Sequence, residues 1–116
     1  MLKILIVDDQ KELSEAIEAV LQAELSDIET FVANDGKVAW GVFQEKKPDL
    51  VITDYKMPGW NGTDLAKEIR EQNTKVPIVL ITEFADNFNM ELFTDLLFKP
   101  FKVAELVRIT KQHLKL

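Results

Sequence analysis

Pro48-Asp49-Leu50-Val51-Ile52-Thr53-Asp54 is the stretch that decides the fold. Three consecutive apolar residues, two of them β-branched, follow a turn signal, which is how a strand buried on both faces reads. The run ends in a carboxylate, Asp54, and the following Met57-Pro58-Gly59-Trp60-Asn61-Gly62 cannot continue a strand. Asp54 is therefore expected at the carboxyl end of a central strand, where open parallel α/β sheets place their ligands.

Upstream, residues 2–7 form an apolar, β-rich run ended by Asp8-Asp9, a pair able to cap the next helix. Over 10–25, Leu13, Ala16, Ile17, Val20, Leu21 and Leu25 recur at helical steps. Residues 28–33 alternate, as a strand near a sheet edge does, and Asn34-Asp35-Gly36 turns the chain. Val38, Ala39, Val42 and Phe43 make a second helical stripe, closed by Lys46-Lys47-Pro48.

Downstream, 63–72 reads as a short helix with Leu65, Ala66 and Ile69 inward, and 76–82 as an apolar strand ending in Thr82. Residues 86–93 make a weak fourth helix of low propensity, and 95–98 a brief strand ended by Lys99-Pro100, whose X-Pro bond can be cis. Val103, Leu106, Val107, Thr110 and Leu114 stripe the last helix. The alternation is (βα)5. It predicts a doubly wound α/β domain over residues 1–116, with a parallel five-stranded sheet in the order 2-1-3-4-5.

Composition narrows the function. Fourteen Lys and Arg against twenty Asp and Glu give a net charge of −6, which argues against direct nucleic-acid binding by this domain. No apolar run approaches membrane-spanning length, no signal-peptide pattern is present and there is no cysteine, so the expected location is the cytoplasm. The single histidine, His113, reads as a surface residue without a catalytic role.

The predicted topology gathers the polar strand ends at one sheet edge: Asp8 and Asp9, Asp54, Thr82 and Lys99. Three carboxylates in one cleft repel, and a hard divalent cation such as Mg²⁺ answers that repulsion. An isolated Asp pair would read as a strand terminator and cap; with Asp54 on the neighbouring strand end, the metal is the better reading. Lys99, the one cation from the last strand, and the Thr82 hydroxyl suit an anion.

In this order, Asp8-Asp9, Asp54 with Met57-Pro58 and Gly62, Thr82, and Lys99-Pro100-Phe101 resemble the receiver domain of two-component response regulators over essentially the whole chain. The resemblance implies a flavodoxin- or CheY-like fold. It implies that Asp54 accepts a phosphoryl group from a phosphohistidine on a sensor histidine kinase or phosphotransfer protein, with Mg²⁺ as cofactor. Asp9, Asp54 and the backbone carbonyl of Lys56 would hold the ion, and Asp8 would act mainly through a bound water. Lys99 and Thr82 would contact the phosphoryl oxygens and carry the switch. The output protein is not specified, and a homodimer is compatible with the family pattern. Such a domain is no enzyme beyond its own phosphoryl transfer and dephosphorylation.

Three positions depart from the pattern. Leu96 stands where an aromatic switch residue is usual. The segment from Thr82 to Lys99 is short, so helix four should be shortened or irregular. Glu83 takes the place of a small residue at the rim, where Lys56 and Phe84 are further tuning positions. Trp60 can pack its loop against the third helix or face a partner.

Other functions compete. A degenerate receiver would act as a phosphorylation-independent protein-binding module. A Mg²⁺-dependent phosphatase would want a second acid where Lys56 stands and a cap that 116 residues do not provide. An FMN carrier would not place Asp8-Asp9 at a phosphate.

Overall fold

In a computed structural model of the chain, which describes residues 1–83 and 88–116, the elements alternate strand and helix as far as β4. They are β1 (Leu2–Val7), α1 (Lys11–Glu24), β2 (Ile28–Ala33), α2 (Gly36–Lys46), β3 (Leu50–Asp54), α3 (Gly62–Gln72), β4 (Ile78–Thr82), β5 (Asp95–Phe98) and α4 (Val103–Leu114). The five strands are parallel, in the order β2-β1-β3-β4-β5, so the α/β fold is the expected one.

Because successive strand side chains point to opposite faces, the apolar runs divide between two cores. Leu5, Val7, Val51 and Leu80 meet Ala39 and Phe43 of α2 and Leu65, Ala66 and Ile69 of α3. Ile4, Ile6, Ile52, Val79 and Ile81 meet Ile17 and Leu21 of α1 and Leu106 and Ile109 of α4. Every residue of β3 and β4 is buried, which explains why neither strand alternates in sequence. β4 begins only after Pro77, later than the apolar run suggests, because proline has no N–H to give the ladder; its carbonyl still accepts from Val51 N at 3.0 Å.

Local chemistry sets the helix starts. Asp35 accepts from Val38 N at 2.8 Å, and Asn61 and Asp64 form a reciprocal capping box on α3. Asp8 and Asp9 do not cap α1. Its N-cap is Gln10, whose amide N–H donates to Asp8 Oδ1 at 2.9 Å, leaving the acidic pair on the strand side of the turn.

Between β4 and β5 the described residues 88–94 hold turns and no helix. Leu92 N donates to the Asn89 carbonyl and Phe93 N to that of Met90, while Asn89 Oδ1 accepts from Glu91 N at 3.2 Å. An Asn side chain that captures a nearby N–H competes with helical bonding. Arg70 of α3 donates to the Leu92 carbonyl of this strap (3.0 Å) and to the carbonyls of Val76 (2.6 Å) and Asn73 (3.2 Å) ahead of β4. The weak helix read over 86–93 is thus absent from its described part, residues 88–93, and residues 86 and 87 lie outside the described residues.

One other reading changes. His113 is a mostly buried side chain whose Nε2 lies 2.9 Å from Asp95 Oδ2, tying α4 to the start of β5. Trp60 meets the start of α2: a Cβ built on Gly36 would lie 2.5 Å from Trp60 Cβ, so only glycine fits there.

Candidate functional site

The carboxyl ends of the strands form one cleft. β1 runs into Asp8 and Asp9, β3 ends on Asp54, β4 on Thr82, and β5 runs into Lys99. Lys99 N donates to the Thr82 carbonyl at 2.8 Å, extending the pairing past β5 and setting Lys99 beside Thr82. The peptide between Lys99 and Pro100 is cis. The cleft, about 430 Å³, is lined by Asp9, Asp54, Lys56, Thr82, Glu83 and Lys99 together with Gln10, Met57 and Pro58.

Lys99 Nζ lies 3.2 Å from Asp54 Oδ2 and 3.3 Å from Asp8 Oδ2. The other oxygen of each carboxylate is held by the backbone: Asp54 Oδ1 by Tyr55 N at 2.8 Å, Asp8 Oδ1 by Gln10 N at 2.9 Å. Each buried carboxylate is thus fixed at both oxygens, while Asp9 is exposed at the mouth. Burial pushes the Asp54 carboxyl above its ordinary value, against the pull of Lys99 and the Tyr55 amide. Burial likewise raises Asp8, with the Asp54 charge adding to it and Lys99 opposing. Burial would lower Lys99, but the two carboxylates outweigh it and hold the ammonium above its usual value.

Ligand oxygens of Asp8, Asp9 and Asp54 lie within 4.8 Å of one another. A set of hard oxygen donors that close suits Mg²⁺, whose bonds of about 2.1 Å put opposite ligands about 4 Å apart, with water completing the shell.

Gly62 fixes the floor. Its N–H donates to the Tyr55 carbonyl at 2.7 Å, and a Cβ there would lie 2.5 Å from the Asp54 carbonyl oxygen. Thr53 Oγ1 donates to that same carbonyl at 2.9 Å.

The rim residues divide. Lys56 and Glu83 are exposed and line the cleft; Phe84 lies outside the described residues. Leu96 is half-buried, paired in register with Leu80 and packed into the core on the α2 and α3 side. The aromatic next to Asp54 is Tyr55, whose ring meets Phe88 edge-on at 4.7 Å. Sequence reading missed Tyr55, and missed Asn34, whose side-chain amide donates to the Asp8 carbonyl at 2.7 Å. The only signal for Asn34 was an amide at the end of the strand beside β1.

Comparison with known proteins agrees on one family. The family model described as the response regulator receiver domain matches residues 4–111. The DNA-binding response regulator MtrA of Mycobacterium tuberculosis is 37% identical over 118 residues, which cover 97% of this chain and 50% of that protein. The chain thus spans about half the length of this relative. Among solved structures, the response regulator TrrA of Thermotoga maritima, determined in complex with Mg²⁺–BeF, has a TM-score of 0.89 and 31% identity, covering 97% of this chain and 99% of that one. The receiver domain of the Francisella response regulator 1452 has a TM-score of 0.88 and 28% identity, covering 99% and 98%.

Proposed function

The chain belongs to the response regulator receiver family, and from that premise we propose that Asp54 is its phosphoryl acceptor in a two-component signalling relay. The observation that carries this reading is the Lys99 ammonium 3.2 Å from Asp54 Oδ2 at the end of the central strand. Asp9, Asp54 and the Lys56 carbonyl would hold Mg²⁺, with Asp8 acting through a bound water. The complex of TrrA with Mg²⁺–BeF supports that cofactor.

The donor is a phosphohistidine of a sensor kinase or phosphotransfer protein. An Asp54 carboxylate oxygen forms the new O–P bond as the N–P bond to the donor imidazole breaks, and the electron pair stays with the imidazole, which takes up a proton. Tyr55 N–H holds the carboxylate and the close packing at Gly62 fixes the Asp54 backbone, so little reorganisation is needed. Lys99 meets the charge on the phosphoryl oxygens and the Thr82 hydroxyl donates to them. Mg²⁺, when bound, neutralises the charge of the transferring group.

Phosphorylation then changes protein contacts, the output partner or a second copy being chosen elsewhere in the pathway. Leu96 has no ring to turn inward, so the response runs through other groups beside Asp54. The domain signals rather than turning over a substrate, and works in the cytoplasm. Among the described residues, no helix is long and apolar enough to cross a membrane.

Incubation with acetyl phosphate and Mg²⁺, followed by intact-mass measurement, tests this. One phosphoryl group is expected on wild type and none on Asp54→Ala. A labelled phosphohistidine kinase serves as second donor in case Glu83 obstructs the small one. Absence of the adduct with both would favour the phosphorylation-independent binding module.

A further inference from the structure

We propose that Asn34 is a positioning residue of the acidic cluster: its side-chain amide fixes the peptide between Asp8 and Asp9 and so aims both carboxylates at one cation. The inference rests on the assignment of that cluster as the Mg²⁺ site.

Two adjacent side chains on a continuing strand would point to opposite faces of the sheet. For Asp8 and Asp9 to serve one ion, the chain must leave the sheet between them and be held there. β1 ends at Val7, and Asp8 N makes the last backbone bond to β2, donating to the Ala33 carbonyl at 3.1 Å. The next partner on that side is a side chain. Asn34 Nδ2 donates to the Asp8 carbonyl at 2.7 Å, standing in for a backbone donor where β2 has already turned into α2. The peptide unit is planar, so holding the Asp8 carbonyl also sets the direction in which Asp9 departs.

The amide has two N–H donors, and both are used. The second reaches Ser14 Oγ at 3.2 Å, and Ser14, wholly buried in the first turns of α1, donates in turn to the Lys11 carbonyl at 2.9 Å. Turning the amide over would set its oxygen against the Asp8 carbonyl, so the network determines the orientation. Asn34 thereby joins the end of β2, the start of α1 and the acidic turn. Asp35 beside it does separate work, capping α2. Groups that orient ligands without touching the metal typically change its affinity by tenfold or more.

Mg²⁺ titration of the whole chain, followed by amide NMR shifts, distinguishes this role from a plain loop staple. Asn34→Ala is expected to weaken Mg²⁺ binding about tenfold. Asn34→Ser, with a side chain too short to span the contact, should behave alike and serves if the alanine variant does not fold. Ser14→Ala cuts the other arm of the network but leaves the bond to Asp8, and its Mg²⁺ affinity should stay within about twofold of wild type, whatever its melting temperature. At saturating Mg²⁺ the phosphorylation rate of Asn34→Ala should return towards that of wild type. Wild-type binding with an unchanged Asn34→Ala would overturn this inference alone. Failure of wild type to bind Mg²⁺ at this cluster would overturn the metal-site assignment and this inference with it.

Discussion

The Lys99 ammonium donates to Asp54 Oδ2 at 3.2 Å, joining the end of β5 to the end of β3. The same ammonium bridges to Asp8, so one cation stands between two mostly buried carboxylates. Removing it leaves both acids without their counter-charge. Lys99→Ala is expected to lose about 3 kcal/mol of stability at neutral pH in urea unfolding. Mg²⁺ at the proposed site would supply charge to these carboxylates and should restore part of the loss, while the rate of adduct formation stays low. A change below about 0.5 kcal/mol would show that solvent already screens the pair.

Gly62 sets the position of Asp54 from behind. A methyl group at 62 would meet the Asp54 carbonyl oxygen at 2.5 Å and Tyr55 Cα at 3.1 Å, both of them backbone atoms with little room to give. Gly62→Ala should cost about 1–3 kcal/mol and slow phosphorylation more than it alters donor affinity. Unfolding melts and a donor-concentration series separate the two effects. An unchanged rate would mean that the loop shifts without moving the carboxylate.

Arg70 ties the β4–β5 strap, through the Leu92 carbonyl, to the segment that precedes β4. It donates to three carbonyls, of which that of Val76 is the nearest at 2.6 Å, and burial lowers its guanidinium below the usual value. Arg70→Met keeps the stem and removes the donors. It should cost about 2–3 kcal/mol through unsatisfied carbonyls and speed hydrogen exchange at residues 89–93, with Mg²⁺ affinity unchanged. Exchange no faster than in wild type would show that the strap is held by Phe88 and Phe93 alone.

The pair formed by Asp95 and His113 gives a pH signature. Burial would raise the Asp95 carboxyl, but the His113 hydrogen bond, the Leu96 amide and the charges of His113 and Arg108 outweigh it and hold Asp95 below 3.8. The unfolded chain therefore binds the proton more readily, so this contribution is present above about pH 4 and is lost as pH falls through the folded value. The stability gap between wild type and His113→Ala should narrow in acid as Asp95 takes up its proton, leaving the pH-independent loss of the buried imidazole. A carboxyl NMR titration should find Asp95 moved upward in the variant. An unmoved Asp95 would assign its shift to the Leu96 amide.

Much of this arrangement is legible in the sequence because β3 and β4 are buried on both faces. Such strands must be apolar throughout, so Asp54 and Thr82 stand out as their ends, and the alternation with helices puts those ends on one edge. What the sequence hides depends on contacts between distant segments. Residues 88–93 carry enough apolar character to suggest a helix, but Asn89 captures a local N–H and Arg70, 22 residues before Leu92, takes its carbonyl. His113 looks like a surface residue until the topology sets Asp95 beside it. Asn34 reads as a turn former, because nothing local shows that its amide reaches the strand next door.

The most direct test of the central claim locates the phosphoryl group itself. Phosphorylated protein is treated with labelled borohydride, which reduces an aspartyl phosphate to homoserine, and the digested peptides are sequenced. Label as homoserine at position 54, formed only with Mg²⁺ present, is the expected result. Label at Asp8, Asp9 or any other residue, or a stable adduct that borohydride does not reduce, would contradict the assignment of Asp54 as the acceptor.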